Sequence, residues 1–275
     1  MRVWCCAVLL LILPIVCSAA DTALPAGPEG AAPASYAGAG EPPEGGDLAL
    51  NLRPHEPMYF SAGWRGTSNA KFQVSFKYRF ADHLFFGYTQ TSVWDLGADS
   101  EPFYDSSYRP SFFYATKNDG AGRSGGAHTG WQAGVEHESN GKSGAESRSI
   151  NIAFIRPVFV INRTGNWRFR AAPKVWAYID KSENTRIDDY RGYADVLLAY
   201  DIFKGFGVLD GLQISANLRK GTEKHYGSIQ VDLSYPLGSV IYAHLQYFSG
   251  WGETILDYDQ RFLSQVRLGV MVVRW

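Results

Sequence analysis

The chain has 275 residues, and its 26 Lys+Arg stand against 27 Asp+Glu for a formal charge of −1. That balance gives no case for a nucleic-acid partner, which needs a clustered basic surface. All three cysteines, Cys5, Cys6 and Cys17, fall within the first twenty residues, so the remainder has no disulfide framework and no thiol-based metal site.

Met1 and Arg2 open an apolar run through Val16 that is followed by Cys17, Ser18, Ala19 and Ala20. This is the pattern of a secretory signal peptide over residues 1–20, with small residues placed for cleavage after Ala19 or Ala20. Residues 21–55 are rich in Ala, Gly and Pro and poor in large apolar side chains. Such a stretch cannot bury enough surface to offset its ordering entropy and reads as a flexible leader. Beyond it no segment reaches the roughly 20 apolar residues of a membrane helix, yet 15% of the chain is aromatic. An exported chain of this kind is a transmembrane β-barrel or a periplasmic β-protein.

From Met58 onward the pattern is alternation, clearest at 71–80, where Phe72, Val74, Phe76, Tyr78 and Phe80 interleave with Gln73, Ser75, Lys77 and Arg79. A strand with one greasy and one charged face suits a barrel whose apolar side meets lipid and whose polar side lines the lumen. In chain order the spacing predicts strands at 57–64, 71–80, 83–94, 108–116, 128–139 and 147–161, then 166–179, 189–202, 209–219, 225–236, 239–250 and 264–275. An even number places both termini on one side, as bacterial outer-membrane barrels require. The connections at 79–83, 162–166 and 235–238 are short, as periplasmic turns should be; 117–127 is a longer exception. The chain ends on the aromatic Trp275, as outer-membrane strands do. The expected fold is therefore all-β, a twelve-stranded antiparallel transmembrane β-barrel over residues 56–275 with short periplasmic turns and longer outer loops.

Two of these strands carry chemistry. If 128–139 and 147–161 pair about a turn centred on Gly144, His137 lies opposite Asn151, and directly opposed residues share a face with Cβ atoms about 4.5–5.5 Å apart. Ser139, two positions from His137, points the same way. A serine hydroxyl needs a neighbouring imidazole to take its proton, and the imidazole needs a third group to hold its tautomer. Ser139, His137 and Asn151 have those three roles available, although a neutral amide stabilises an imidazolium less than a carboxylate does. The bland alternative is three ordinary polar residues at a strand rim. Trp131, Ala133 and Val135 share the parity of His137 and Ser139, while Gln132, Glu136 and Glu138 take the other. Arg156 makes Asn151, Ala153 and Ile155 the outward row of the partner strand. The candidate relay thus faces lipid, which suits an enzyme whose substrate is the surrounding membrane.

The run His137-Glu138-Ser139-Asn140-Gly141, continued by Ser147-Arg148-Ser149 and Asn151, resembles the outer membrane phospholipase A family. The resemblance extends to Tyr88-Thr89-Gln90, Trp94, Pro102-Phe103, Tyr108 and Pro110, and to Ser249-Gly250-Trp251-Gly252-Glu253 and Leu256-Asp257-Tyr258. It implies a barrel that hydrolyses phospholipid acyl esters, with A1, A2 and lysophospholipase activity, and that is activated by Ca2+-dependent homodimerisation in the bacterial cell outer membrane, its active site toward the outer leaflet. By position it implies Ser139 as nucleophile, His137 as general base, Asn151 as its orienting partner and the Gly141 backbone N–H as oxyanion donor. It implies calcium on the Ser147 hydroxyl, the Lys142 carbonyl and the Ser100 carbonyl of the partner subunit. Two positions depart from the family pattern: Lys142 stands for an Arg, and Gly144 for an acidic residue whose loss would weaken calcium binding. Glu138 and Glu146 are nearby acids, read as solvated turn charges. Gln90 shares the lipid-facing parity of Leu84, Phe86, Tyr88 and Trp94. An unpaired amide there is expensive; a partner Gln90 across a dimer interface would satisfy it, and the alternative is that Gln90 lies near the membrane boundary and meets water.

Other signals carry less. Gly122, Ser124 and Gly126 match G-x-S-x-G, but that motif works on a strand-to-helix turn of an α/β sheet and here sits in a Gly-rich loop. His55, His83, His128, His225 and His244 lack metal-ligand spacing and read as rim or lumen residues. Glu253, Asp257 and Asp259 read as a solvated acidic loop. Bulky Phe85 and Trp176 at lumen positions argue for a filled interior. The readings that compete with a phospholipase are a catalytically inactive barrel, serving as a pore or structural protein, and a lipopolysaccharide deacylase.

Overall fold

A computed structural model describes residues 51–275 apart from 66, 101, 117–125, 164 and 224. The expected signal peptide, the expected leader up to residue 50 and residues 122–125 of the Gly-rich motif lie outside the described residues. Thirteen strands follow one another: β1 (Leu52–Pro54), β2 (Met58–Arg65), β3 (Thr67–Ala81), β4 (Leu84–Asp95), β5 (Phe103–Ala115), β6 (Gly126–Ser139), β7 (Ser149–Arg163), β8 (Trp167–Asp180), β9 (Ala194–Ile202), β10 (Gln213–Lys220), β11 (Gly227–Pro236), β12 (Tyr242–Trp251) and β13 (Arg261–Val273). β13 pairs with β2, β2 with β3 and β3 with β4, so β2 to β13 close into an antiparallel ring of twelve. Closure leaves no unpaired edge, the condition for a sheet to cross hydrocarbon. The short β1 pairs with β3 beyond the end of β2, so pairing begins at residue 52, inside the stretch assigned above to the leader.

Burial follows the two-residue period. On β7, Ile150, Ile152, Phe154, Val158 and Val160 are buried, while Ile155, Phe159 and Ile161 are exposed. On β6, Trp131 and Val135 are exposed, and Gln132 and Glu138 are buried. The exposed rows of Phe60, Val74, Phe112, Val175, Val266 and Leu268 complete an apolar outer band. Trp131 stacked on Tyr114, and Trp167 on Tyr200, are amphipathic rings of the kind that gather at membrane interfaces.

The lumen is packed rather than open. Phe85 and Trp176 lie against a cluster containing Phe113, Ile152, Phe154 and Ile255, and two cavities among the lumen side chains measure about 190 and 50 Å³. Buried charges are paired within it: Arg168 with Asp201, Lys174 with Glu136, and Lys71 and Arg267 both with Glu253. His244 joins Asp232 and Ser61 inside the barrel.

Four expectations are corrected. Residues 189–193 are not strand: Ile187–Arg191 form a short helix, α1, with Ile187, Tyr190 and Arg191 buried. It stops at Gly192, whose φ of 63° favours glycine and where a Cβ would lie 2.0 Å from the Lys220 carbonyl oxygen. β5 begins at Phe103 rather than 108. Trp275 does not extend the last strand; it packs in the lumen against Val158, Val160, Ala172 and Leu197, and its carbonyl accepts from Gln213. Glu253 is not solvated but bridges two buried cations. Because Ile155 sits in mid-strand on the outer band, Ile155→Arg should lower barrel stability by about 2–4 kcal/mol, read from urea unfolding in bilayers, while Ser143→Arg in the exposed β6–β7 loop should leave it unchanged.

Candidate active site

The β6–β7 register pairs His137 with Asn151 and Ser139 with Ser149. All three relay candidates are half-buried on the outward rows. His137 Nδ1 and Asn151 Oδ1 are 2.9 Å apart. An amide oxygen can only accept, so Nδ1 carries the proton and Nε2 is left as the basic nitrogen. Ser139 forms no side-chain hydrogen bond among the described residues, so the imidazole–amide leg is made and the serine–imidazole leg is open. Catalytic hydrogen bonds of this kind commonly tighten only when substrate binds.

What holds this strand is on its other face. Glu138, between His137 and Ser139, points into the lumen, where Arg191 of α1 donates to both its oxygens at 3.1 and 3.0 Å and Ser107 donates at 2.8 Å. Glu136 receives Lys174 at 3.0 and 3.1 Å. Glu138 is thus a buried anchor and not the solvated turn charge that its position after His137 implied. It faces away from any calcium site on the outer loop.

The loop 140–148 is organised by Asn140, which is 5% exposed. Its Oδ1 accepts from the backbone N–H of Lys142 at 3.3 Å and of Arg148 at 3.0 Å, and its Nδ2 donates to the Glu146 carbonyl at 2.8 Å. Gly141 adopts φ 68°, and a Cβ there would approach the Tyr108 ring at 3.2 Å. A single 3-10 turn spans Gly144–Glu146. Asn140 belongs to the motif read from the sequence, yet its place in the loop could not be read there, because its partners are backbone groups brought in by the turn.

The candidate calcium ligands Ser147 and Lys142 both sit on the β6–β7 loop. Ser147 Oγ donates to Glu183 Oε2 at 2.8 Å, which brings a carboxylate from the β8–α1 connection to the hydroxyl. Nothing in local spacing singles out Glu183, 36 residues away. Lys142 Nζ reaches the Tyr104 carbonyl at 3.1 Å and Glu146 at 2.9 Å, so Glu146 is exposed but paired. Among the described residues there is no cluster of three His, Cys, Asp or Glu able to hold a metal. The donors within one chain are therefore a partial, all-oxygen set, which suits a hard cation completed by water or a second chain. Ser100 has a left-handed backbone, φ 65°, and makes no hydrogen bond to Lys142 or Ser147 among the described residues. Nearby, Asp257 is bonded by Tyr104; burial pushes its carboxyl up, partly offset by that hydrogen bond. Gln90 is partly satisfied within the chain: Tyr88 donates to its Oε1 and its Nε2 donates to Ser92, both at 3.2 Å.

Fold and site together define an outer-membrane barrel with a Ser/His/Asn constellation on its lipid-facing wall. A family model described as Phospholipase A1 matches residues 49–272. The chain is 30% identical to a putative phospholipase A1 of Neisseria meningitidis serogroup B, over 81% of this chain and 65% of the relative, and 32% identical to phospholipase A1 of Proteus vulgaris, over 82% of each. Outer membrane phospholipase A from Escherichia coli superposes with a TM-score of 0.70 at 25% identity, covering 84% of this chain and 95% of that one. A Salmonella typhi outer membrane phospholipase, solved as a dimer with bound calcium, gives 0.65 at 27% identity, covering 81% and 92%. The chain belongs to the outer membrane phospholipase A (phospholipase A1) family and is a bacterial outer-membrane β-barrel.

Asn140→Ala removes three loop hydrogen bonds, each worth about 1 kcal/mol net. Hydrogen exchange of the 140–148 amides should accelerate, while the unfolding midpoint of the barrel stays at the wild-type value.

Proposed function

We propose that this protein hydrolyses acyl esters of membrane phospholipids, with A1, A2 and lysophospholipase activity, on the outside of the barrel. The observation that carries the reading is the His137–Asn151 hydrogen bond on a wall whose neighbouring outward side chains are apolar. An acyl chain lying along Val135 and Ile155, both exposed, would bring its ester to the rim where Ser139 stands.

In this reading His137 Nε2 takes the proton from Ser139 Oγ as the oxygen attacks the acyl carbonyl. The tetrahedral intermediate collapses as the same imidazole gives that proton to the departing lysolipid oxygen. Water, deprotonated by His137, then releases the fatty acid and restores Ser139. Asn151 keeps the imidazole in the tautomer that both steps need, and the Gly141 N–H faces the developing oxyanion. Calcium, when bound, supplies positive charge beside that oxyanion. Ser147, through its hydroxyl, and Lys142, through its carbonyl, would hold it together with Ser100 of the partner subunit. Glu183 supplies the carboxylate that Gly144 lacks. Homodimerisation through the Gln90 face completes this arrangement: the amide of Gln90 retains one N–H and one lone pair beyond its bonds within the chain.

The packed lumen supports an enzyme over a pore. With the protein refolded in detergent, Ser139→Ala should lower fatty-acid release from phospholipid by at least about 10³-fold, with Asn151→Ala falling less. Unchanged release from Ser139→Ala would remove the nucleophile from the reading. Chelation should abolish wild-type activity, and Glu183→Gln should raise the calcium concentration for half-maximal activity about tenfold.

A further inference from the structure

The periplasmic end of the barrel is not uniform. The turns between β3 and β4 and between β7 and β8 present Asp82, His83, Gly165 and Asn166. The turns at 203–212 and 237–241, by contrast, expose Phe206, Val208, Leu209, Leu237, Val240 and Ile241, with Val208 at 85%, Leu237 at 65% and Val240 at 62%. Scattered apolar residues on a surface are ordinary, but a contiguous patch marks an interaction. Gly211 of the first turn lies against Pro236, the last residue of β11 and the one before the second turn: a Cβ at Gly211 would lie 2.6 Å from the Pro236 ring.

Two further features identify what covers the patch. It continues the lipid-facing rows without a break, through exposed Ile214 at the start of β10 and Tyr235 at the end of β11. The turns also pair part of their own backbone, which lowers the cost of leaving water. Phe203 and Lys204 donate to the Asn166 carbonyl, Phe206 to the Asp210 side chain, Asp210 to Gly207, Gly211 to Ile202, Leu212 to Leu209, and Leu237 to Ile241. Around the ring these hairpins lie about half-way from β4, which carries Gln90.

We propose that the turns 203–212 and 237–241 are immersed in the periplasmic leaflet of the outer membrane and anchor the barrel on the side remote from Gln90. The polar β3–β4 turn stays in water. Lipid contact then reaches further toward the periplasm on one side of the barrel than on the other, so the barrel takes a preferred tilt, set by its own interfacial anchors.

The test uses single cysteines placed in a chain with Cys5, Cys6 and Cys17 changed to Ser. Val208→Cys, Val240→Cys and, as an independent position, Leu237→Cys are labelled with an environment-sensitive fluorophore in phosphatidylethanolamine/phosphatidylglycerol vesicles; Asp82→Cys is the aqueous reference. The expected result is blue-shifted emission at 208, 237 and 240, quenched several-fold more strongly by acyl-chain nitroxide lipids than by iodide, with the reverse at 82. Iodide quenching at all four positions overturns the proposal. So does shielding of 208, 237 and 240 from both quenchers, which would indicate a protein partner. Neither outcome depends on catalysis, so the result is independent of the ester-hydrolase reading.

Discussion

Every backbone N–H and C=O within the membrane must find a partner in the chain itself, and the β3–β4 and β13–β2 pairings that close the ring meet this condition. Closure makes each strand two-faced, with one row to lipid and the next to the lumen. The site inherits its direction from that rule: with Glu136 and Glu138 inside, His137 and Ser139 can only be outside. The place of the candidate relay on the outer wall is thus a consequence of register, and a slip of one residue would turn it into the lumen.

The interior then serves as the support of an exterior site. Glu138 and Glu136 fix the inner face of β6 through Arg191 and Lys174, and α1 brings Arg191 to that point. Lys71 and Arg267 hold Glu253 and with it the loop 252–260. That loop bonds Asp105 through the Leu256 amide and Tyr104 through Asp257, and the Tyr104 carbonyl receives Lys142 from the active-site loop. A continuous path of polar contacts therefore runs from the buried ion pairs to the loop whose carbonyl and hydroxyl are the candidate calcium ligands. Breaking such a buried pair leaves an uncompensated charge, which costs far more than the net worth of the pair.

Much of this was legible in the residues themselves. The alternation at 128–139, the lone Arg156 on the facing strand and the turn length between them were sufficient for the His137–Asn151 register and its outward direction. The motif around Ser139 carried the family. The helix at 187–191 was not legible, because five residues are too few to show a helical period and the segment runs into β9. The start of β5 was missed because Tyr104 and Asp105 break the apolar alternation: Asp105 is buried by a bond to a loop 151 residues away. Asn140, Glu183 and Glu253 were invisible as organisers for the same reason, since their partners are distant in sequence or belong to the backbone.

The sequence by itself determined the barrel, its strand count and the face on which His137, Ser139 and Asn151 lie, because period-two patterning and turn length are local properties of a chain. Only the tertiary structure decided that Glu138 and Glu253 are buried anchors, that Glu183 stands beside Ser147, that Trp275 turns into the lumen, and that two apolar turns lie on one side of the periplasmic rim. Each of these depends on which distant strands the closed ring makes neighbours, and ring closure is not a local property.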